Sequence, residues 1–371
     1  MIYFDNAATS FLKPESVYNS VYKTLKLYAG NPGRGGHMLS MKANEIVYEA
    51  RETIADFFGI KSVERVCFTN NATSALNFGI KGVIGHKDKV LISGFEHNSV
   101  TRPLYAIGAD VEVMPWIDYD NDFYISGDTK MIIVNHMSNV NGNISNIRAI
   151  GEYAKKNNII FMVDASQSAG HIPINVIDDN IDILACSGHK GLLGPQGTGV
   201  LYVREGINIK PLIEGGTGSF SEEIAQPEVF PDILESGTLN VAGIGGLCEG
   251  IKYINKYGLY EKHNREKELM KSLVTGLRNI KKVIIYNNKN TTIDENLVSI
   301  NVSGWDCVSL ANFLSEKYGV CVRGGMHCAP LAHKTMGTEN TGTVRISLSH
   351  FNTFAEINHF LNIIDKIANV M

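Results

Sequence analysis

The chain has 371 residues, of which 44% are hydrophobic and 19% charged, and its formal net charge is −4. This length favours a large domain with a smaller companion over one compact core. The slight negative charge and the lack of a long basic run argue against a nucleic-acid-binding surface. The first residues lack the pattern of a signal peptide, and no apolar stretch is long enough to span a bilayer. The six cysteines form no CxxC pair, so we expect a reducing, cytoplasmic location.

The N-terminal part predicts two helices separated by a loop. A small polar turn at 5–9 is followed by a helix over 13–27, whose proline and glutamate near the start suit a helix N-terminus. A glycine-rich loop at 30–37 carries Arg34, and a long helical pattern over 39–58 ends at a glycine. On its own the loop is equally consistent with a surface turn and with part of a site.

Polar residues follow a series of short apolar segments, which are typical of strands in a covered parallel sheet. The predicted strands cover residues 66–68, 90–93, 131–134, 159–163, 181–186 and 200–203. The carboxyl ends of parallel strands meet at one edge of a sheet, where ligands bind. After the first strand, the polar segment 69–77 predicts a helix N-terminus, whose backbone N–H groups form a ready phosphate site.

A lysine and an acid follow two of these strands. Asp164 comes directly after 159–163, and Lys190 follows 181–186 through the turn Ser187-Gly188-His189. A lysine held at the mouth of a sheet loses solvation, which lowers its pKa and makes the amine a nucleophile. Pyridoxal 5'-phosphate (PLP) uses such a pair, since the lysine forms a Schiff base and the acid pairs with the pyridinium nitrogen. The two strand ends therefore predict a PLP site.

The C-terminal third carries a second reactive centre. Cys328 lies in a segment with two glycines before it and a proline after it, which predicts an exposed loop thiol, unlike a buried cysteine. Arg323 lies five residues earlier, and a guanidinium suits bidentate binding of a carboxylate. Cys321 alternates with two valines and is predicted to pack in a strand. By itself such a cysteine is more often an inert loop thiol, and the nearby arginine favours a catalytic role for Cys328.

The segments VDASQSAGH and SGHKGLLGPQGTGVLY, which contain Asp164 and Lys190, resemble the class V aminotransferase fold group, specifically the cysteine desulfurases and selenocysteine lyases. The resemblance covers essentially the whole chain. It implies an α/β protein of PLP-dependent transferase fold type I. A large PLP-binding domain over 15–256 would carry a mostly parallel sheet of the seven-stranded type, covered by helices. Residues 1–14 and 257–371 would form a small α+β domain that carries the cysteine loop.

The resemblance also implies roles for single residues. Lys190 and Cys328 are the implied catalytic residues, together with His97, which stacks on the cofactor ring and shares in proton transfer. Asp164 would pair with the ring nitrogen and Asn139 with the phenolic oxygen. The implied cofactor-binding residues are Thr73 at the phosphate, His97, Asn139, Asp164, Gln167, Ser187, His189, Lys190 and Thr238. The implied substrate-binding residues are Arg323 at the carboxylate, Arg345, Arg34 and Asn139. No metal site is expected.

The implied reaction removes sulfur from L-cysteine, giving L-alanine and a persulfide on Cys328 that passes to an acceptor protein the sequence does not name. In similar proteins the residue matching Thr238 reaches the phosphate in the partner subunit, which implies a homodimer with active sites at the interface. Seventeen positions separate Cys328 from Arg345, a spacing that resembles the short-loop, group II desulfurases. Gly33 stands where many relatives have histidine, so a substrate-handling role of that histidine does not carry over.

Three alternatives stay open from the sequence. The chain could be a selenocysteine lyase or another class V lyase, aminotransferase or epimerase on the same fold. It could also act mainly as a scaffold that delivers persulfide sulfur. A nucleotide site built from the glycine-rich turns is disfavoured, because there is no GxGxxG after the first strand and no P-loop.

Overall fold

The computed structural model describes residues 1–33, 35–114, 125, 127–286 and 296–370. Its strands are β1 (Ile2–Tyr3), β2 (Val66–Thr69), β3 (Lys89–Ser93), β4 (Asp110–Met114), β5 (Thr129–Asn135), β6 (Ile160–Asp164), β7 (Ile183–Ser187), β8 (Gly199–Val203), β9 (Val283–Tyr286), β10 (Leu297–Val302), β11 (Val320–Cys321), β12 (Arg323–Gly325) and β13 (Thr343–Ser347). Its α-helices are α1 (Glu15–Leu27), α2 (Met38–Phe58), α3 (Ala72–Val83), α4 (Asn98–Ile107), α5 (Ile147–Lys156), α6 (Val241–Tyr257), α7 (Leu259–Arg278), α8 (Cys307–Tyr318), α9 (Pro330–Met336) and α10 (Phe354–Val370).

The main sheet has seven strands in the order β2-β8-β7-β6-β5-β3-β4. Strand β8 runs antiparallel to both neighbours, and the pairs from β7 through β6, β5 and β3 to β4 are parallel. The mostly parallel sheet of the prediction is confirmed. Since parallel strands end at the same edge, their last residues lie together there. These residues are Ser93, Asn135, Asp164 and Ser187.

Two apolar cores flank this sheet and bury both of its faces. One core packs α2, α5 and α6 against the strands, and the other packs α3 and α4. Double burial explains why the strand sequences are continuously apolar rather than alternating. Helix α2 ends at Gly59, whose φ of 70° is the left-handed conformation that glycine adopts most easily. The predicted end of that helix is confirmed.

A second, antiparallel sheet has the order β12-β13-β10-β9 and packs against α7, α8 and α10. Its core also takes in Ile2 and Phe4, because β1 pairs in parallel with β11. The small α+β unit of the prediction is confirmed, while the boundaries 15–256 and 1–14 with 257–371 stay a prediction. Gly324 and Gly325 were expected in a loop, yet they lie in β12. Backbone hydrogen bonds to β13 need no side chain, so two glycines can form a strand where their composition indicates a loop.

Among the described residues, no helix combines the length and the apolar composition needed to cross a membrane.

Candidate active site

A cavity of about 110 Å³ opens at the carboxyl edge of the main sheet. Its walls come from the ends of β5, β6 and β7 and from the first turns of α3 and α4, so it lies where the predicted strand ends meet. The residues that line it are Asn71, Ala72, Thr73, Leu76, His97, Ser99, Asn135, Met137, Asn139, Asp164, Ser166, Gln167, Ser187, His189 and Lys190. Eight of the nine residues expected at a cofactor thus share one cavity.

Lys190 lies in the turn after β7 and contributes to the cavity wall. Burial lowers the pKa of its amine to about 8, although Asp164 opposes this by favouring the charged form. Removing an ammonium from water disfavours its charge, and this frees the lone pair near physiological pH. The geometry and the lowered pKa together suit a nucleophilic lysine.

Asp164 ends β6 and is buried at the floor of the cavity. Its Oδ1 accepts a hydrogen bond of 2.9 Å from the backbone N–H of Ser166 and a second, short one from the Ser166 hydroxyl. No hydrogen bond from the described residues reaches Oδ2. A carboxylate with one oxygen fixed and the other directed to no protein donor can pair with a protonated ring nitrogen.

His97 precedes α4 and caps its N-terminus. Its Nδ1 accepts from the backbone N–H of Ser99 at 3.0 Å. Burial lowers the pKa of the imidazole to about 4, against the influence of Asp164. The ring is therefore neutral at pH 7, and because Nδ1 accepts a hydrogen bond, its proton lies on Nε2. A neutral aromatic ring with one N–H is able to stack on a flat ligand and to donate one hydrogen bond.

The first turn of α3 forms the polar end of the cavity. Asn71 caps this helix by accepting from the N–H of Ser74 at 2.9 Å, and Thr73 lies in the first turn. The Thr73 hydroxyl contacts the Ser99 hydroxyl at 2.8 Å, which joins the starts of α3 and α4. Helix N-termini carry unpaired N–H groups and positive dipole ends, so this end of the cavity suits a phosphate.

Cys328 is exposed and lies in a turn that is hydrogen-bonded to the carboxyl edge of the main sheet. His327 and Cys328 both have left-handed backbones, with φ of 49° and 58°. The carbonyl of Cys328 accepts from the N–H of Asn98 at 2.8 Å, and that of His327 accepts from Asn139 Nδ2 at 2.6 Å. The turn that carries Cys328 is therefore hydrogen-bonded to the start of α4 and to the segment after β5, which both contribute to the cavity wall.

Two arginines face each other beside this turn. Arg323 and Arg345 occupy directly opposed positions of β12 and β13, which brings their side chains to the same face of the sheet. Arg345 is buried and pairs through Nη2 with Asp5 Oδ1 at 2.9 Å, while its Nη1 donates to the carbonyl of Asn139 at 2.9 Å. Its Nε finds no partner among the described residues. Two guanidinium groups side by side suit a carboxylate.

One residue expected at the cofactor lies apart from this cluster. Thr238 is exposed in the segment before α6 and does not line the cavity. Arg34 lies outside the described residues. Arg323 and Arg345 border the Cys328 turn rather than the cavity wall. Nothing in the described residues groups three or more His, Cys, Asp or Glu side chains as a metal site.

The sequence prediction missed several wall residues, among them Asn71, Ser99 and Asn135. Each follows or ends a predicted strand, or begins a helix after one, so the same strand-end signal applies to all three. Lys13, Ser10 and Thr9 were also missed as neighbours of the Lys190 turn. They precede or begin the first helical pattern, and no local pattern indicates their long-range contact.

Comparison with known proteins gives a consistent picture. The family model for class V aminotransferases matches residues 2–360. A probable cysteine desulfurase from Pyrococcus abyssi is 34% identical, with 99% of this chain and 94% of that protein aligned. A probable cysteine desulfurase from Methanothermobacter thermautotrophicus is 32% identical, with 100% of this chain and 95% of that protein aligned. The apo structure of a cysteine desulfurase from Thermococcus onnurineus superposes with a TM-score of 0.90 at 34% identity, covering 100% and 95% of the two chains. The cysteine desulfurase CsdA from Escherichia coli superposes at 0.88 with 26% identity, covering 100% and 95%.

Proposed function

Because the chain belongs to the class V aminotransferase family, we propose that it is a PLP-dependent cysteine desulfurase. It would convert L-cysteine to L-alanine and leave the sulfur as a persulfide on Cys328. The observation that carries this proposal is the docking of the Cys328 turn. Asn98 and Asn139 hold the carbonyls of Cys328 and His327 at the edge of the cavity that Lys190 lines. A reactive thiol and a reactive amine thus belong to one site.

The cavity fits PLP in the chemistry of its donors. Lys190 would hold the cofactor covalently, Asp164 would pair with its ring nitrogen through the free Oδ2, and the α3 start with Thr73 would bind its phosphate. His97, Asn139, Gln167, Ser187 and His189 complete the wall around the ring. When bound, PLP supplies an electron sink for negative charge at the substrate Cα.

The residues of the chain would divide the remaining work. The Lys190 amine takes the Cα proton, and the neutral His97 ring donates a hydrogen bond through Nε2. The Cys328 thiolate attacks the substrate sulfur, so that a bond forms between the two sulfur atoms and the Cβ–S bond of the substrate breaks. The electron pair left at Cβ takes up a proton, which balances the proton given up by the substrate thiol. Lys190 then returns the Cα proton, which completes L-alanine.

The opposed arginines would bind the substrate carboxylate. Arg323 reaches Cys328 Sγ through Nη2 at 3.5 Å, and Arg345 has an Nε that finds no partner in the described part of the chain. Two cations on one sheet face support a site for an anion next to the thiol. Arg34 would be a third substrate-binding residue, as the sequence resemblance implies.

The proposed assembly rests on the resemblance and on two features of the structure. The exposure of Thr238, away from the cavity of its own chain, is consistent with a phosphate contact in the partner subunit of a homodimer. The two sheets, each with its own core, support the proposed division into a domain over 15–256 and another over 1–14 and 257–371. All six cysteines are free, which suits the reducing cytoplasm. A protein that accepts the persulfide sulfur completes the proposal.

The test is to purify the protein, record its absorbance spectrum, and then add L-cysteine and assay sulfide and alanine together. A visible cofactor band with equal amounts of both products supports a desulfurase. A band without products would agree with the family but would contradict activity on L-cysteine. Turnover of selenocysteine and of keto acids would then be compared in the same assay. A protein that stays colourless when PLP is added overturns the proposal.

A further inference from the structure

A short N-terminal segment joins the two chemical centres of the site. Residues 5–13, here called the N-terminal strap, leave β1 and run between β13 and the Lys190 turn. At one end Asp5 pairs with Arg345 at 2.9 Å, and the N–H of Ala7 donates to Ser347 Oγ at 2.8 Å. Gln167 Nε2, which belongs to the cavity wall, donates to the carbonyl of Ala7 at 3.0 Å. The strap therefore contacts both the small sheet and the cavity.

The other end of the strap converges on a single atom, the carbonyl oxygen of His189. The N–H of Ser10 donates to it at 3.0 Å and the Ser10 hydroxyl lies 3.1 Å away. The Thr9 hydroxyl lies 3.3 Å and the Lys13 ammonium 3.5 Å from the same oxygen. Thr9 also contacts the imidazole of His189, at 3.0 Å from Nδ1. Four donors from five consecutive positions thus surround one carbonyl group.

Lys13 is bound in an unusual way for a lysine. Its ammonium donates to Ser10 Oγ at 2.7 Å, and no carboxylate of the described residues lies within ion-pairing distance. Burial lowers the pKa of this amine to about 8. A partly buried ammonium without a counter-ion is costly, so its hydrogen bonds are the contacts that keep it there. A charged donor strengthens the next hydrogen bond in a chain, here from the Ser10 hydroxyl to His189.

The held carbonyl belongs to the peptide group that connects His189 to Lys190. A peptide group is planar, so fixing its oxygen also fixes the nitrogen and Cα of the following residue. The start of the Lys190 side chain is therefore anchored by the strap rather than only by its own turn. An error of about 1 Å in the placement of a reacting group can cost about 100-fold in rate.

We propose that Lys13 is a positioning residue for Lys190, acting through Ser10 and the His189 carbonyl. This inference rests on the proposed function, because it assumes that Lys190 reacts with the aldehyde of PLP. In that reaction Lys190 Nζ forms a C=N bond to the aldehyde carbon, and the aldehyde oxygen leaves as water. Lys13 touches neither partner of this bond.

The experiment separates the rate of this bond from the affinity for the ligand. The full-length chain is freed of cofactor, and the return of the visible band is timed after mixing with PLP. Binding of pyridoxamine 5'-phosphate, which has the ring and phosphate but no aldehyde, is measured in parallel. The variants are Lys13→Ala, Lys13→Arg and Ser10→Ala, and Lys23→Ala serves as the control because Lys23 is an exposed lysine of α1.

We expect Lys13→Ala to slow the return of the band by between about tenfold and about 100-fold, with pyridoxamine phosphate affinity unchanged. Ser10→Ala should show the same split, Lys13→Arg should restore most of the rate, and Lys23→Ala should match the wild type. A wild-type rate in Lys13→Ala overturns the inference. An equal loss of rate and affinity also overturns it, since that result denotes general damage to the site. If Lys13→Ala does not fold, Ser10→Ala decides.

Failure of the proposed function gives a different result from failure of this inference. A wild-type protein that forms no visible band with PLP contradicts the proposed function. If the wild type forms the band, and Lys13→Ala and Ser10→Ala form it at the same rate, only the role of Lys13 is contradicted.

Discussion

The guanidinium of Arg323 lies next to the thiol of Cys328, with 3.5 Å between Nη2 and Sγ. The pairing joins an exposed cysteine to a cation in the adjoining strand β12. The nucleophilic form of a cysteine is its thiolate, and an exposed sulfur is accessible to a substrate. The structure thus presents one cysteine of the chain in a setting suited to reaction, whereas four of the other five are buried.

Replacing Cys328 tests its assignment directly. Cys328→Ala should keep the cofactor absorbance and lose the release of sulfide and alanine from L-cysteine, because no thiol remains to take the substrate sulfur. Cys321→Ala is the matched control, since Cys321 lies in β11 only seven positions away. Product release by Cys328→Ala at the wild-type rate would show that another group accepts the sulfur.

The pH dependence of cofactor loading reports on Lys190. Burial lowers the pKa of this amine from 10.5 to about 8. Only the neutral amine attacks an aldehyde, so the loading rate should rise about tenfold per pH unit up to about pH 8 and then level off. The measurement times the return of the visible band to the cofactor-free protein over this range, and Lys190→Ala should form no such band. A rate that keeps rising towards pH 10 would mean that the amine is solvated.

Glu96 supports the turn that carries His97, and its ionisation should appear in stability. It is fully buried, and its Oε1 accepts from the Ser93 hydroxyl at 2.6 Å and from the N–H of Asn135 at 2.8 Å. Burial raises the pKa of the carboxyl from 4.5 to about 8. The folded state therefore binds more protons than the unfolded state between these values, and its stability falls as pH rises through this window.

Glu96→Gln removes this titration and keeps the shape of the side chain. We expect the stability of the wild type, relative to this variant, to fall by up to about 1.4 kcal/mol per pH unit between about pH 4.5 and about pH 8. Below and above this window the difference should stay constant. Chemical denaturation of both proteins across the window measures it. A stability difference that does not change with pH would mean that the Glu96 carboxylate is already ionised in the folded protein.

The loss of the buried ion pair between Arg51 and Glu235 should lower the free energy of unfolding more than the loss of a surface ion pair. Arg51 Nη1 donates to Glu235 Oε1 at 2.8 Å, Nη2 makes a second, short bond to Oε2, and both side chains are buried. Glu235→Ala leaves a buried cation unpaired, which should cost about 3–5 kcal/mol. Glu45→Ala breaks the pair with Lys42, which is exposed and screened by solvent, and should cost far less. Similar losses in the two variants, measured by chemical denaturation, would contradict this ranking.

The sequence alone determined the local architecture and the edge at which the site forms. Apolar segments that end in polar residues, as at Asp164 and Ser187, predicted the parallel strands and their shared edge, because strand periodicity and burial are local properties. Helix ends were equally readable, as at Gly59, because the left-handed cap has a residue preference. Resemblance to a family added the expected identity of the cofactor and the roles of Lys190 and Cys328.

Only the tertiary structure decided how distant segments meet. The hydrogen bond from Asn139 to the His327 carbonyl joins residues 188 positions apart, and the pair of Asp5 and Arg345 joins residues 340 apart. No periodic pattern encodes such contacts, because they arise when two separately packed sheets dock. The convergence of the N-terminal strap on the His189 carbonyl has the same origin. The proposed reacting groups could therefore be named from the sequence, whereas the contacts that hold those side chains in place are a property of the folded chain.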